Sequence, residues 1–201
     1  IGAEQASAPQ PVIQFVDKAG YTELHLCGYS RVGNMHQVSG LFFSHHIDVR
    51  EALIYTKRDT NVAVDIYRLV HQPPHLRDSK PVALDEYLKQ ELTQEIRELM
   101  NQQVTLNEIF TRHHTQTKQQ WTVYEVKVNG ASHKNYSEIV VKGEEKIGFL
   151  YFFSGILAEL GLNIEMCKCS GLGAKITNHF YLTPFASPEF VHQQIMERLK
   201  M

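Results

Sequence analysis

EEKIGFLYFFSGILAELGLNIEMCKC, Glu144 to Cys169, is the stretch that decides how this 201-residue chain folds. A charged loop meets Gly148. A helix follows, apolar at Phe149, Leu150, Phe153, Ile156, Leu157 and Leu160, and Gly161 stops it before a strand. Spacings of one, three and four residues mark one face of a helix, and the period-two run after Gly161 marks a strand. The same unit stands earlier in the chain, at an offset of 148 − 33 = 115 residues. That shift takes Gly148 to Gly33, Ser154 and Gly155 to Ser39 and Gly40, Gly143 to Gly28, and Glu138 to Glu23, without a gap from Glu23 through Ile54. One module has been duplicated.

Composition sets the outer bounds. With 43% apolar and 21% charged residues, the chain can bury one large core or two small ones, and the repeat favours two. A net charge of −2 and a pI near 6.6 leave no basic footprint for nucleic acid or a membrane surface. The cysteines Cys27, Cys167 and Cys169 are odd in number, and no secretory leader precedes them. A reduced, cytoplasmic protein is the expectation. No apolar run reaches the roughly 18 residues of a membrane-spanning helix. The first ten residues, Ile1 to Gln10, are rich in Ala, Ser, Gln and Pro, which reads as a linker in a longer protein.

Val12 to Val16 and Tyr21 to Cys27 read as a hairpin around Asp17 to Gly20. The GYSRVGN connection leads to a helix whose face is Met35, Val38, Leu41 and Phe42, ending near His45 and His46. Ile47 to Thr56 and Asn61 to Val70 make a second hairpin. A Pro-rich loop, Gln72 to Pro81, precedes a long helix with a leucine stripe at Leu84, Leu88, Leu92, Ile96 and Leu99, and a wet face including Lys89, Glu91 and Glu95. Polar residues 106–120 read as a linker between a first domain, 11–105, and a second, 121–201. The second repeats the order: strands Trp121 to Asn129 and Ser137 to Lys142 around a turn at Gly130 to Tyr136, the helix, then Leu162 to Cys169. An SGLG turn then reverses into Ala174 to Leu182. Ser187, Pro188 and Glu189 start a closing helix.

The fold class expected is α+β: two ferredoxin-like sandwiches, each an antiparallel sheet with helices on one face. A β-α-β-β-α unit leaves strand edges open. In each module the additional N-terminal strand, Val12 to Val16 or Trp121 to Asn129, would pair beside the central strand and take up that edge.

These residues resemble ACT domains. TELHLCGYSRVGNM and DVREALIYTKRDTNVAVDIYRL (Thr22 to Met35, Asp48 to Leu69) are similar to the first ACT domain in the C-terminal regulatory region of the uridylyltransferase and uridylyl-removing enzyme that acts on the nitrogen regulatory protein PII. VNGASHKNYSEIVVKGEEKIGFL (Val128 to Leu150) resembles the second. The family's Asp-Arg-Pro-Gly loop stands here as Ser30-Arg31-Val32-Gly33 and Glu145-Lys146-Ile147-Gly148, with both glycines kept and both prolines replaced. The resemblance implies an amino-acid ligand, glutamine by analogy, held by Ser30, Arg31, Gly33, Asn34 and Asp48 and by Glu145, Lys146, Gly148, Phe149 and Asn163. It also implies upstream catalytic domains in the same polypeptide, and PII as a partner through that parent. Elementary physics agrees with such a site: amides at a helix N-terminus favour a carboxylate, and Asn163 offers both donors and acceptors. Its counterpart Asp48 is an acceptor when ionised, so the two sites are expected to differ. Asn163 is expected to converge with the loop from Glu145 to Phe149, making the second module the better site.

No phosphate loop, dinucleotide fingerprint, nucleophile elbow or metal-binding carboxylate pair is present in the sequence, so neither catalysis nor a cofactor is expected here. The histidine pairs His45-His46 and His113-His114 invite a metal, but packed or surface histidines are the expected reading. Cys167 and Cys169, two apart on one strand face, read as core. An RNA platform lacks its basic and aromatic string. The rival to ligand binding is a structural or oligomerisation role, in which the glycines only shape turns.

Overall fold

The computed structural model describes residues 10–71, 82–131, 135–172 and 174–200. The Pro-rich loop 72–81, most of the first linker, the middle of the 130–136 turn and Gly173 of the SGLG turn lie outside the described residues. The elements run β1 (Val12–Lys18), β2 (Tyr21–Tyr29), α1 (Asn34–Ser44), β3 (Ile47–Lys57), β4 (Val62–His71), α2 (Glu86–Met100), α3 (Leu106–Arg112), β5 (Val123–Asn129), β6 (Ser137–Glu144), α4 (Phe149–Glu159), β7 (Ile164–Leu172), β8 (Lys175–Leu182) and α5 (Pro188–Arg198).

The class is α+β, but the strands do not form two separate sheets. They make one antiparallel sheet in the order β1-β2-β4-β3-β7-β8-β6-β5. In each half the N-terminal hairpin strand sits at the outer end, so β1 covers β2 and β5 covers β6. The inner edges, β3 and β7, satisfy one another, which removes two rows of unpaired backbone groups. At the middle of that junction Leu53 pairs with Lys168, and 168 − 53 = 115 is again the repeat offset. A pseudo-twofold axis therefore passes through this pair.

The helices α1 and α4 obey the same symmetry. Ser39 and Ser154 place their hydroxyls 3.4 Å apart, and each also donates back to a carbonyl of its own helix. His36 stacks on Tyr151 and donates from Nδ1 to its carbonyl at 3.1 Å. Glycine makes this crossing close. A Cβ on Gly40 would stand 2.9 Å from Tyr151, and one on Gly155 would stand 2.8 Å from His36.

Alternation puts Leu24, Leu26, Ala52, Tyr67, Leu69, Ile139, Val141 and Phe180 on the inner face of the sheet. There they join the buried residues of all five helices in one cluster. The leucine stripe of α2 is buried as its spacing predicts. The stretch read as a linker, 106–120, instead carries α3. Its N-terminus is a full capping box between Thr105 and Glu108, and Ile109 and Phe110 are buried. No described helix is long and apolar enough to cross a membrane.

Candidate functional site

Both glycine turns do what their residue type allows. Gly33 (φ 88°) and Gly148 (φ 86°) are left-handed residues at the N-caps of α1 and α4, and no side chain caps either helix. Each helix starts with the same bond: the Asn34 amide donates to the Arg31 carbonyl and the Phe149 amide to the Lys146 carbonyl. The next amides, Met35 and His36 or Leu150 and Tyr151, have no carbonyl one helical turn earlier to meet. A carboxylate is favoured at each place by those donors and by the helix dipole.

Beneath each turn lies a small cavity. The first, about 30 Å3, is lined by Ser30, Arg31, Gly33 and Asn34 together with Leu162 and Ile164 at the start of β7. The second, about 20 Å3, is lined by Glu145, Lys146, Gly148 and Phe149 together with Asp48 at the start of β3. The pseudo-twofold exchanges them. Each cavity is therefore built crosswise, from the turn of one half and the strand start of the other.

This arrangement corrects the expected convergence of Asn163 with the Glu145 to Phe149 loop. Asn163 lies between two wall residues of the first cavity, opposite Ser30 to Asn34, and the Glu145 loop meets Asp48 instead. A local reading of one module cannot see this, because the exchange depends on the β3–β7 pairing.

The cavities differ in their contents. In the second, the Arg50 guanidinium bridges Asp48, at 3.0 Å, and Glu145. Burial raises the Asp48 pKa, Arg50 opposes the rise and Glu145 adds to it. Phe149 is 1% exposed and lies over Gly143, and the Phe43 ring stands where a Cβ on Gly148 would be. Two aromatic rings and an ion pair thus fill that side.

In the first cavity Asn34 turns away to donate to the Tyr29 carbonyl, and Ala158 stands where the second has Phe43. Thr56 and Ser30 face each other, 3.4 Å between hydroxyl oxygens. The wall also includes Asp65 of β4, which is 8% exposed. Its Oδ2 accepts from the Tyr67 hydroxyl at 3.3 Å, whereas Oδ1 has no partner among the described residues. Burial raises its pKa to about 7 against the pull of the Tyr67 bond.

Asp65 was absent from the sequence reading. A signal existed: it occupies the same alternation phase as Tyr67 and Leu69, so the strand points an acid inward. A second cluster was also missed. His45 and His113 both donate from Nε2 to Glu95, at 2.7 and 2.9 Å, and Arg112 adds a bond of 2.6 Å. Glu95, assigned to the wet face of α2, is 1% exposed, and Lys89 from the same face is buried against Asp17. The ligand atoms of His45, Glu95 and His113 lie within 4.8 Å of one another. The Arg112 guanidinium on the same carboxylate already balances its charge, so an ion-pair clamp among α1, α2 and α3 accounts for the cluster.

No protein-family model and no curated protein sequence matches the chain. Among solved structures, the crystal structure of aspartate kinase from Synechocystis is similar with a TM-score of 0.48 and 10% sequence identity. That match covers 91% of this chain and 27% of the other, so the chain spans about a quarter of the protein it matches.

Proposed function

We propose that this chain is an amino-acid-sensing regulatory region of the ACT type, controlling an enzyme to which it is attached. The observation that carries the reading is the pair of crosswise cavities, each with an uncapped helix N-terminus at its mouth and polar side chains from both halves. A ligand held there would touch both halves of the sheet, so binding would bias how the halves pack and could be felt by a domain joined to either. Glutamine and control of a PII uridylyltransferase are the finer form of the proposal, and they rest on the sequence resemblance alone. The first cavity is the working site, since Phe43 and Phe149 crowd the turn of the second and leave it about 20 Å3 against about 30 Å3.

Calorimetric titration and thermal shift with the common amino acids test this. The expected result is saturable heat with at least one amino acid at millimolar concentration or below, lost on Arg31→Ala and retained on Lys146→Ala. Absence of heat and of any melting shift across the panel would leave the structural reading in its place.

A further inference from the structure

We propose that the inner end of the first cavity is an ammonium subsite, in which a primary ammonium group of the ligand seats on Asp65 while a carboxylate stays at the α1 N-terminus beside Arg31. The inference rests on the amino-acid reading above and says which end of the ligand goes inward.

Three observations lead to it. Asp65 is buried yet keeps an oxygen without a hydrogen-bond partner among the described residues, on the wall of a cavity of about 30 Å3. A void of that size suits a water molecule or one group of similar bulk, and an ammonium is such a group. The surroundings supply acceptors as well as Asp65: the hydroxyls of Ser30 and Thr56 line the same space. A buried carboxylate lacking a positive partner is costly, and a cation delivered to it recovers Coulomb energy in a low-dielectric site.

The other titratable groups around Asp65 do not supply that cation. Tyr67, on the same strand, donates only a hydroxyl bond. Cys167, on β7, is a buried thiol whose pKa is driven up by desolvation first and by Cys169 and Asp65 after it. His36, on α1, is driven towards its neutral form by burial and is engaged with Tyr151. Arg31 lies at the exposed mouth of the same cavity, makes no ion pair with a carboxylate among the described residues, and is left for the ligand's own carboxylate.

The pseudo-symmetry supplies a control. Leu26 pairs with Asp65 and Val141 with Asn178. Since 141 − 26 = 115, Asn178 is the equivalent of Asp65 in the second half, and it too is buried with side-chain atoms left unpaired. The backbone accepts asparagine at this place. Asp65→Asn therefore keeps shape and removes charge.

The test is calorimetry on the whole chain, wild type and D65N, with lysine, its two mono-acetylated forms, glutamine and ethylamine. Wild type is expected to bind amino acids at least about tenfold more tightly than D65N. Nε-acetyl-lysine keeps the α-amine and Nα-acetyl-lysine keeps the side-chain amine, so whichever binds identifies the ammonium that enters. A second readout is the proton count from titration in buffers of different ionisation heat. A carboxyl with its pKa at about 7 is half protonated at neutral pH, so seating a cation should release up to about half a proton at pH 7 and up to about one at pH 5, where the ligand's own amine is fully protonated and contributes nothing to the count. If amino acids bind D65N as tightly as wild type with no proton released, the subsite is refuted and the amino-acid reading stands. If no amino acid binds but ethylamine raises the melting temperature of wild type and not of D65N, the subsite stands and the amino-acid reading falls. If neither ligand class has any effect, both are refuted.

Discussion

The two halves of the sheet share a backbone plan and have diverged in what they place beneath the glycine turn. Under Gly33 there are Ser30 and Thr56, both small hydroxyl residues, with Asn34 turned outward and Ala158 opposite. Under Gly148 the equivalents are Glu145 and Gly171, Phe149 and Phe43, each displaced by 115 residues from its counterpart. The exchanges compensate one another. Where Ser30 became Glu145, Thr56 became Gly171, and a Cβ on that glycine would stand 2.9 Å from the Glu145 carboxylate. Where Asn34 became Phe149, the ring lies over Gly143, and the counterpart Gly28 is glycine as well, so this exchange used room that both halves share. Close packing explains the pairing of changes, since a filled side tolerates no added atom without a matching deletion. One half kept a hydroxyl-lined hollow, and the other narrowed it with aromatic rings and an ion pair.

The sharpest way to break this contrast is at Asp65 and Asn178. Asp65 has a folded pKa of about 7 against an ordinary 3.8, the rise coming from burial. Below pH 3.8 both folded and unfolded chains hold the proton and the residue is neutral to stability. As pH rises from 3.8 to 7 the unfolded chain ionises first, so stability falls through that window and the penalty is complete above it. The shift corresponds to as much as about 4 kcal/mol. Asp65→Asn is therefore expected to be more stable than wild type at pH 8 by a few kcal/mol, on that order, and indistinguishable near pH 3.5. Denaturant unfolding at both pH values checks it. A less stable D65N at pH 8 would show that the carboxylate is a structural partner of Tyr67.

The ends of the paired helices give a second contrast. Leu160 and Gly161 close α4, and their counterparts His45 and His46 close α1, with His46 (φ 55°) in the left-handed conformation that Gly161 (φ 69°) also adopts. His45 lets the first half reach Glu95 on α2, a contact with no equivalent among the described residues of the second. Burial alone would raise the Glu95 pKa, but bonds from His45, His113 and Arg112 outweigh it and lower the value from 4.5 to about 2. A depressed carboxylate contributes its stability above pH 4.5 and loses it as pH falls towards 2. Glu95→Gln should cost about 3 kcal/mol at neutral pH, and the gap from wild type should close as pH approaches 2. A pH-independent gap would show that packing, not charge, holds α2 to α1.

Much of this architecture could be read from the chain, and the misses share a cause. The offset of 115 located both glycine turns, both central helices and the residues that meet at the pseudo-axis. In the sheet it holds to the end of β3 and β7, at Lys57 and Leu172, and no further. In the sheet register β4 and β8 are offset by 178 − 65 = 113, because two residues are lost in the second hairpin. Carried on unchanged, the offset sets Phe180 against Asp65 and hides the equivalence with Asn178. Crosswise walls were hidden for a related reason. Periodicity reports which way a side chain faces within its own element, whereas the joining of β3 to β7 is a non-local choice between two open edges. Glu95 and Lys89 depart from the wet face that helix periodicity predicts, because each has a partner from a distant element.

The smallest effect expected separates the two glycines themselves. Both have positive φ, so alanine at either carries the strain of a left-handed β-carbon, roughly 1 kcal/mol. At Gly33 the new Cβ would meet only Ala158 Cβ at 3.8 Å, an ordinary contact. At Gly148 it would approach the Phe43 ring to 2.6 Å, and that ring stacks on Tyr151 and contacts Phe110 and Trp121 edge-on, so it has little freedom to yield. Gly148→Ala should therefore cost about 1 to 3 kcal/mol more than Gly33→Ala. Adding Phe43→Ala removes the obstacle and should bring the two alanine variants level when each is measured against its own background. Equal costs in the Phe43 background would show that the second cavity has slack around its aromatic plug. The division into a filled half and a hollow half would then rest on Asp65 and Asn34 alone.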